Sequence, residues 1–327
     1  MDRIPLSSNE LPDQQGGQPG TLDGLEQKSE QNLGAQRKKR DLQEIVSRLQ
    51  RNSQLQTQNA APTPVQQDKN QLPLWPQAIR GVPNALLRNS LFTVNKVRET
   101  FPRRELLASN SDIEIRFMGV RFNQTDLDVW EMILHLARLQ PVGCKVLFSA
   151  HSFLKALGRG TGATQHEQLK EEVARLRGGT VEMTWKNDKK TFVGGLLEKA
   201  YRDEATQQYI VTLDEKLLLL YDSGYSHINW EQRQALRSNL AKWLHGFYSS
   251  HASPYSYKIE TLRELCGSGT KALWKFRQML KFALEDLVTV GFIKDWEITR
   301  DGKLEITVYP SQSQVKHLKN KRAMHTR

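Results

Sequence analysis

Residues 258–309 read KIETLRELCGSGTKALWKFRQMLKFALEDLVTVGFIKDWEITRDGKLEITVY, and their pattern decides the fold class. Apolar residues recur at helical spacing over residues 261–266 and again over residues 270–289, and Gly267 ends the first of these helices. Two predicted strands close the stretch, and Asp301-Gly302 between them is typical of a tight β-hairpin. Helix, turn, helix and hairpin in this order predict a winged helix, which is a helix-turn-helix motif with a β-hairpin attached.

The chain before this stretch repeats the pattern. A helix over residues 231–250 and a strand over residues 255–259 complete the C-terminal unit, and residues 125–213 show the same order of elements. We therefore predict an α+β fold with tandem winged-helix domains, preceded by a disordered N-terminal segment. The predicted parts are a disordered Gln-rich region (1–70), a linker or arm (71–110), a first winged helix (111–229), a second winged helix (230–310) and a basic tail (311–327).

Residues 1–70 differ in composition from the rest of the chain. They contain no Phe, Trp or Tyr, and they hold 13 Gln. Such a segment buries too little apolar surface to offset the entropy lost on ordering, so we expect disorder. Its nine basic and nine acidic side chains cancel, so the formal net charge of +11 falls on residues 71–327. A basic globular part predicts a polyanionic partner, most simply nucleic acid.

Composition also excludes several classes of protein. The chain has two Cys, Cys144 and Cys266, which excludes a disulfide framework and favours a reducing cytoplasm. No apolar run reaches the length of about 18 residues that a transmembrane helix needs, and the N-terminus lacks a signal-peptide pattern. We therefore expect a cytoplasmic protein without a membrane partner.

The helix over residues 270–289 is the predicted DNA-reading element. Its apolar stripe faces the core, so its Lys and Gln residues lie on the other side. Residues 268–281 contain four basic residues and no acid, which suits a helix whose N-terminal half lies in the major groove. Its first amides are expected to approach a phosphate, and the hairpin tip a neighbouring groove or backbone. The predicted DNA-binding residues are Ser268, Thr270, Lys271, Lys275, Arg277, Gln278, Lys281, Arg300 and Lys303.

Other interpretations of this helix stay open. A basic helix face is most often a solvated surface, and Trp274 either packs at the edge of the core or belongs to a contact surface. Gln suits adenine and Lys or Arg suits guanine, whereas lysines elsewhere on the face more often touch phosphates. The tail is expected to add nonspecific attraction through Lys316, Lys319, Lys321, Arg322 and Arg327.

The first predicted winged helix is a weaker candidate for reading DNA. Its second helix, over residues 163–177, mixes Glu with Lys and Arg, and a mixed face suits protein contact better than a groove. Arg159, near the start of this helix, could still hold a phosphate. Dimerisation and auxiliary DNA contact therefore both remain possible for this domain.

The sequence contains no motif that argues for catalysis. Gly267-Ser268-Gly269-Thr270-Lys271 lacks the spacing of a phosphate-binding loop and does not follow a strand. The eight His are scattered, without an H-x-H pair or an H-E-x-x-H motif, and no nucleophile-elbow G-x-S-x-G is present. We expect no enzymatic activity, no metal and no cofactor.

Five stretches carry a resemblance to a known family: residues 86–92 (LLRNSLF), 230–248, 249–255 (SSHxxPY), 258–263 (KIETLR) and 265–268 (LCGS). In these the chain resembles the TrfA family of plasmid replication initiators, among the iteron-binding initiators with two winged-helix domains. The resemblance implies binding to repeated origin sequences (iterons) in double-stranded DNA and help in opening an AT-rich region. It also implies recruitment of host DnaA, replicative helicase and polymerase sliding clamp.

The same resemblance implies an equilibrium between dimers and active monomers of the chain, without nuclease or ATPase activity. It places the protein in the bacterial cytoplasm, at the nucleoid or plasmid. Gln71-Leu72-Pro73-Leu74-Trp75 fits the peptide of such initiators that docks in the sliding clamp, where a Gln amide and apolar side chains fill a pocket. The predicted clamp-binding residues are Gln71, Leu72, Leu74 and Trp75. The alternative is that Leu72, Leu74 and Trp75 pack on the first domain.

The resulting hypothesis is an initiator that binds origin iterons through its second winged helix. A winged-helix transcriptional regulator, which would protect a promoter operator instead of a repeat array, is the alternative. A relaxase or rolling-circle nickase is a further alternative, and it would need a metal-binding His cluster and a Tyr nucleophile.

Overall fold

The computed structural model describes residues 70–109, 113–186, 189–222, 224–251 and 253–309. The predicted disorder of residues 1–70 therefore falls, except for residue 70, outside the described residues. So does the predicted basic tail with Lys316, Lys319, Lys321, Arg322 and Arg327. Within the described ranges, no helix is both long enough and apolar enough to cross a membrane.

The described chain contains both helices and strands throughout its length and is therefore a mixed α and β protein. The helices are α1 (Asn84–Leu87), α2 (Gln124–Ala137), α3 (Ala150–Ala156), α4 (Ala163–Gly178), a 3-10 helix (Glu215–Leu218), α5 (Leu219–Asp222), α6 (Trp230–Ala235), α7 (Asn239–Ser249), α8 (Ile259–Leu265) and α9 (Leu273–Thr289). The strands are β1 (Ile79–Pro83), β2 (Phe92–Thr93), β3 (Thr100–Leu107), β4 (Ile113–Val120), β5 (Phe122–Asn123), β6 (Val146–Ser149), β7 (Thr180–Trp185), β8 (Lys190–Gly194), β9 (Lys199–Asp203), β10 (Gln208–Thr212), β11 (Tyr225–Asn229), β12 (Tyr257–Lys258), β13 (Ile293–Ile298) and β14 (Lys303–Val308).

The first core contains α2 together with the sheets β3-β4-β7-β8 and β6-β10-β9. Helix α2 begins with a capping box, in which the Asn123 side chain accepts from the amides of Thr125 and Asp126. In return the Asp126 carboxylate accepts from the Asn123 amide at 2.8 Å. This reciprocal arrangement satisfies amides that the first helical turn leaves without partners. Trp130 and Ile133 on α2 are fully buried.

The predicted linker over residues 71–110 is instead part of the first core. Strand β1 pairs with β11 in antiparallel register, with Ile79 opposite Asn229 and Pro83 opposite Tyr225. The buried residues of this segment include Leu72, Trp75, Leu86, Leu91 and Phe92. The segment is ordered by strand pairing with a region far later in the sequence, and its local composition of prolines and apolar residues does not show that contact.

The second core has the predicted order of elements: helix, short strand, short helix, turn, long helix and hairpin. They are α7, β12, α8, α9, β13 and β14. Strand β14 lies between β12 and β13 in a three-stranded antiparallel sheet. The fully buried apolar side chains include Leu244, Ile259, Leu262, Cys266, Phe276, Leu280, Leu284, Leu287 and Leu304.

Two helix boundaries in this region differ from the prediction. The helix predicted over residues 231–250 is two helices, α6 and α7, because Leu236 has an extended backbone and Ser238 caps the second helix. The helix predicted from residue 270 begins at Leu273, since the preceding residues form a turn with its own hydrogen bonds. Caps and turns are set by local hydrogen bonds that apolar periodicity does not reveal.

A buried group of charged residues joins the elements of the two cores. Arg233 on α6 is fully buried, with its Nε 2.8 Å from Asp128 Oδ1 and 3.2 Å from Glu131 Oε2, both on α2. Lys242 on α7 pairs with the other Asp128 oxygen at 2.5 Å. Burial raises the pKa of Glu131 to about 7. Burial also opposes ionisation of Asp128, but Arg233 and Lys242 hold its pKa below the usual value.

Candidate nucleic-acid interface

Helix α9 has one buried and one exposed face. The buried face is formed by Phe276, Leu280, Ala283, Leu284 and Leu287. Lys275, Gln278 and Lys281 lie on the exposed face, as the apolar stripe predicts. Two large aromatic side chains share that exposure, since Trp274 is 66% exposed and Phe282 70% exposed. Trp274 therefore belongs to the surface rather than to the core, and sequence reasoning did not single out Phe282.

The positive charges of this face have no partners among the described residues. Lys271, Lys275, Arg277 and Lys281 are exposed, and none of them forms an ion pair within the described ranges. The acidic residues of α9 lie in its C-terminal half. Unpaired cations on one surface retain their attraction for a polyanion. The N-terminal half of α9 is therefore a positively charged surface with two aromatic rings.

The start of α9 is open to an anion. The N-cap residue, Ala272, makes no side-chain hydrogen bond to the helix amides. The first amides of a helix have no partners inside the helix, and the helix dipole favours negative charge there. Ser268, Thr270 and Lys271 precede the helix rather than belong to it, so the expected anion-binding amides are those of residues 273–275.

The turn that precedes α9 is internally bonded. Ser268 Oγ accepts from the Thr270 amide at 3.3 Å, and Thr270 Oγ1 donates to the sulfur of Met279 at 3.7 Å. Arg263 donates to the Lys271 carbonyl at 2.9 Å. The two predicted hydroxyl groups are thus engaged within the protein, and the Lys271 ammonium is the charge that this turn offers to a ligand.

The turn is also anchored by the first half of the chain. Asn95 Nδ2 donates to the Gly267 carbonyl at 3.0 Å, and Asn95 Oδ1 accepts from the Gly269 amide at 2.8 Å. Thr93 Oγ1 donates to the Gly267 carbonyl at 2.7 Å. Gly267 has a φ of +64°, which favours glycine over other residues. Sequence reasoning missed Thr93 and Asn95, because no local pattern connects them to a turn 172 residues later.

The hairpin tip lies beside α9 but holds less free charge than predicted. Lys303 Nζ pairs with Asp301 Oδ2 at 2.7 Å. Hydrogen bonds, above all the one from Lys303, lower the pKa of Asp301 to about 2. The bond to Asp301 in turn raises the pKa of Lys303. Arg277 Nη2 lies 3.7 Å from the position that a Cβ on Gly302 would occupy. The tip therefore contributes the exposed Arg300, while Lys303 is largely compensated.

Three basic residues in and beside helix α4, the predicted second helix of the first winged helix, are paired, whereas Arg177 at its C-terminal end is exposed and forms no ion pair with a described residue. The pairs are Arg159–Glu172 (2.7 Å), Lys170–Glu167 (2.7 Å), Arg175–Asp126 (3.0 Å) and Arg175–Glu171 (3.3 Å). Glu172 is buried, and burial raises its pKa although Arg159 opposes the shift. Arg159, which was a candidate phosphate ligand, is therefore engaged with a carboxylate of its own domain.

The predicted clamp-binding peptide is packed into the first core. Leu72 and Trp75 are buried, and Trp75 Nε1 donates to His135 Nδ1 at 3.0 Å. Gln71 Nε2 donates to a main-chain carbonyl at the end of α2 at 3.1 Å, while Leu74 is exposed. This conformation agrees with the alternative interpretation for Leu72 and Trp75. Clamp docking stays a prediction, and it requires this segment to leave the core.

Two solved initiator structures are distantly similar to the chain. Domains 2 and 3 of RctB are 10% identical, with a TM-score of 0.48 over 71% of this chain and 99% of that chain. The Pi initiator protein in complex with iteron DNA is 13% identical, with a TM-score of 0.44 over 56% of this chain and 92% of that chain. Neither likeness is close enough to assign a property to this chain.

The comparison of sequences is more informative. A plasmid replication initiator protein TrfA from Escherichia coli is 28% identical over 228 residues, which is 67% of this chain and 59% of that protein. The match thus spans less than two thirds of the relative's length. A model of the TrfA protein family matches residues 36–302, which is most of the chain. On this match, the chain belongs to the TrfA family.

Proposed function

We propose that this protein is a plasmid replication initiator that binds repeated origin sequences through α9. Its membership of the TrfA family supports the biological role, and the E. coli relative is named as a plasmid replication initiator. The observation that carries the DNA-binding role is the exposed N-terminal half of α9, with three unpaired basic residues, a fourth in the preceding turn and an open helix start. Those features match what a major-groove reading helix requires.

The proposal includes two winged helices. In the second, α8 and α9 form the helix-turn-helix, and β13 with β14 forms the wing. Lys271 and the first amides of α9 then bind one phosphate, and Arg300 at the hairpin tip approaches the DNA backbone. Gln278 is the candidate for pairing with adenine, and the exposed rings of Trp274 and Phe282 suit contact with thymine methyl groups.

The first winged helix has a different role in this proposal. Arg159, Lys170 and Arg175, in and beside the N-terminal and middle part of α4, are paired with carboxylates, which supports protein contact, including self-association, over groove reading. We propose no catalytic step for either domain. Incubation with supercoiled plasmid is therefore expected to leave the DNA unnicked, and a nicked product would revive the relaxase alternative.

Opening of an AT-rich region and recruitment of DnaA, helicase and sliding clamp also belong to the proposal. For the clamp, the buried Trp75 makes a poor test because its removal would damage the core. Leu74 is exposed, so Leu74→Ala leaves the core intact and removes one apolar anchor. In a pull-down with purified clamp, less of the Leu74→Ala variant than of the parent protein should be recovered. Equal recovery of the variant and the parent protein would argue against clamp docking.

The experiment that tests the proposed function is DNase I footprinting on the parent replicon at a stated salt concentration. Protection that recurs at intervals of about one to two helical turns supports binding to iterons. Protection of a single palindrome at a promoter would favour the transcriptional regulator instead. Salt-sensitive binding everywhere without a footprint would mean that α9 is only an electrostatic surface.

A further inference from the structure

A loop from the first half of the chain lies beside the turn that precedes α9. Residues 94–99 connect β2 to β3. The Asn95 side chain bonds to both Gly267 and Gly269, and the Val94 amide donates to the carbonyl at the end of α8 at 3.1 Å. A side chain on α7 also donates to the Val94 carbonyl at 3.3 Å. These bonds fix the beginning of the loop against the helix-turn-helix.

Beyond Asn95 the loop is exposed and carries a charge without a partner in the described chain. Lys96 is exposed, and Val97 next to it is 80% exposed. The following basic residue is different, because Arg98 pairs with the buried Asp126 at 2.5 Å. Lys96 forms no ion pair with any residue that the structure describes. Its ammonium group therefore has no structural use within that part of the molecule and is available to a ligand.

The neighbours of the loop indicate the chemistry of that ligand. Asn95 holds the turn that carries Lys271, and the open start of α9 follows directly after that turn. Free helix amides and unpaired lysines both attract anions. A lysine on a main-chain loop has no rigid fork for reading bases, so it suits a phosphate as a point charge.

We propose that Lys96 binds a phosphate of the DNA backbone next to the start of α9, and that Asn95 is the positioning residue that holds the loop there. This inference rests on the proposed function of α9 in DNA binding. It extends the DNA-binding surface from the second core to a segment 175 residues earlier than Lys271.

The test compares Lys96→Ala with a matched lysine far from the loop. Lys190 is exposed on β8, where it lies opposite Trp185 on β7. Trp185 in turn lies opposite Ile113 on β4. Those residues are at the opposite end of the sheet from Thr100, where the loop joins β3. Lys190→Ala therefore removes the same charge from the full chain without approaching α9.

Binding is measured with two duplexes of equal length, one carrying a footprinted repeat and one carrying the same bases in scrambled order. Lys96→Ala should weaken binding to both duplexes by about fivefold and reduce the salt slope of log K by about one, because a phosphate contact is lost. Lys190→Ala should leave affinity and salt slope unchanged. A loss confined to the repeat, or one with an unchanged salt slope, would overturn the phosphate assignment.

The coupling of Asn95 to Lys96 gives a second readout, which a purely structural role would not change. In an Asn95→Ala background the loop is released, so Lys96→Ala should cost less than the fivefold seen in the parent protein. Equal losses in both backgrounds would overturn the positioning role of Asn95.

Including Lys271→Ala with Lys275→Ala separates this inference from the proposed function. If that variant loses affinity while Lys96→Ala behaves like Lys190→Ala, the inference fails and the proposed function stands. If the Lys271, Lys275 variant also binds normally, the DNA-binding role of α9 fails and the inference fails with it.

Discussion

Helices α4 and α9 occupy corresponding places in the two halves of the chain but use their charges differently. Each follows a shorter helix and a glycine-containing turn, and each is followed by strands. Arg159, Lys170 and Arg175, in and beside α4, are held by carboxylates at 2.7–3.0 Å. The corresponding basic residues of α9 have no ionic partners among the described residues.

The difference shows why charge composition alone does not identify a nucleic-acid surface. A paired guanidinium has already exchanged its hydration for a carboxylate, so it has little left to offer a phosphate. An unpaired ammonium on the surface keeps its counterions and releases them when it meets DNA. The paired charges around α4 therefore serve stability, and the unpaired charges of α9 are available for binding.

The largest expected effect is on the pH dependence of stability, which should differ between the two halves of the chain. Burial lowers the pKa of His245 to about 3 and that of His251 to about 4, so both stay neutral in the folded second half at pH 5. Their unfolded forms take up protons below about pH 6.5. Stability therefore falls on acidification, by about 2 kcal/mol for each His or about 4 kcal/mol together at pH 5.

The stability of the first half should change less on acidification, because two pKa shifts there have opposite signs. Burial lowers the pKa of His135 to about 3, which costs stability on acidification as above. Burial raises the pKa of Glu131 to about 7, so the folded state takes up a proton before the unfolded state and gains stability between about pH 7 and 4.5. Regional amide hydrogen exchange, corrected for intrinsic rates, should show the second half opening first at pH 5. Earlier opening of the first half would contradict these assignments.

The next effect tests whether charge in the first half supports the fold. Asp126 is fully buried, caps α2 and pairs with Arg98 and Arg175. Asp126→Ala should reduce the free energy of unfolding by about 2–4 kcal/mol, since it removes one half of the capping box and the buried carboxylate that Arg98 and Arg175 share. Urea denaturation measures this. A change below about 0.5 kcal/mol would show that these pairs are not structural.

A smaller effect is expected when one of the paired charges beside α4 is released, so that it resembles the unpaired charges of α9. Glu172→Gln removes the carboxylate that holds Arg159, so one guanidinium becomes free near the start of α4. We expect a loss of about 1–2 kcal/mol in stability and an increase of up to about one in the salt slope for nonspecific DNA. An unchanged slope would mean that the geometry of α4, and not only its pairing, keeps it from DNA.

The sequence predicted the features of this site that depend on local pattern. The helical periodicity of α9 correctly placed Phe276 and Leu280 in the core, and Asp301-Gly302 correctly marked the hairpin. The exposure of Lys275 follows from the same pattern. These features could be predicted because each depends on residues within a few positions of one another.

The features that the sequence did not predict depend on distant partners. The bonds from Asn95 to Gly267 and the buried group around Arg233 each join residues more than 100 positions apart. The burial of Trp75, which the sequence offered only as the alternative to clamp docking, depends on a partner 60 positions away. The pairing that removes Arg159 from the candidate site involves a nearer partner, but charge counting does not show which cations are paired. Three-dimensional contacts thus decided which predicted site residues were available to a ligand.

The most direct test of the central claim compares double and single lysine variants of the two helices on a footprinted repeat. Lys271→Ala with Lys275→Ala should lower the salt slope of log K by about two and weaken binding by at least tenfold, with little change in stability. Lys170→Ala, which removes a lysine paired with Glu167 on α4, should leave the affinity and slope unchanged. Equal effects of the variants, or an unchanged slope for the α9 variant, would contradict the assignment of free charge on α9 to DNA binding.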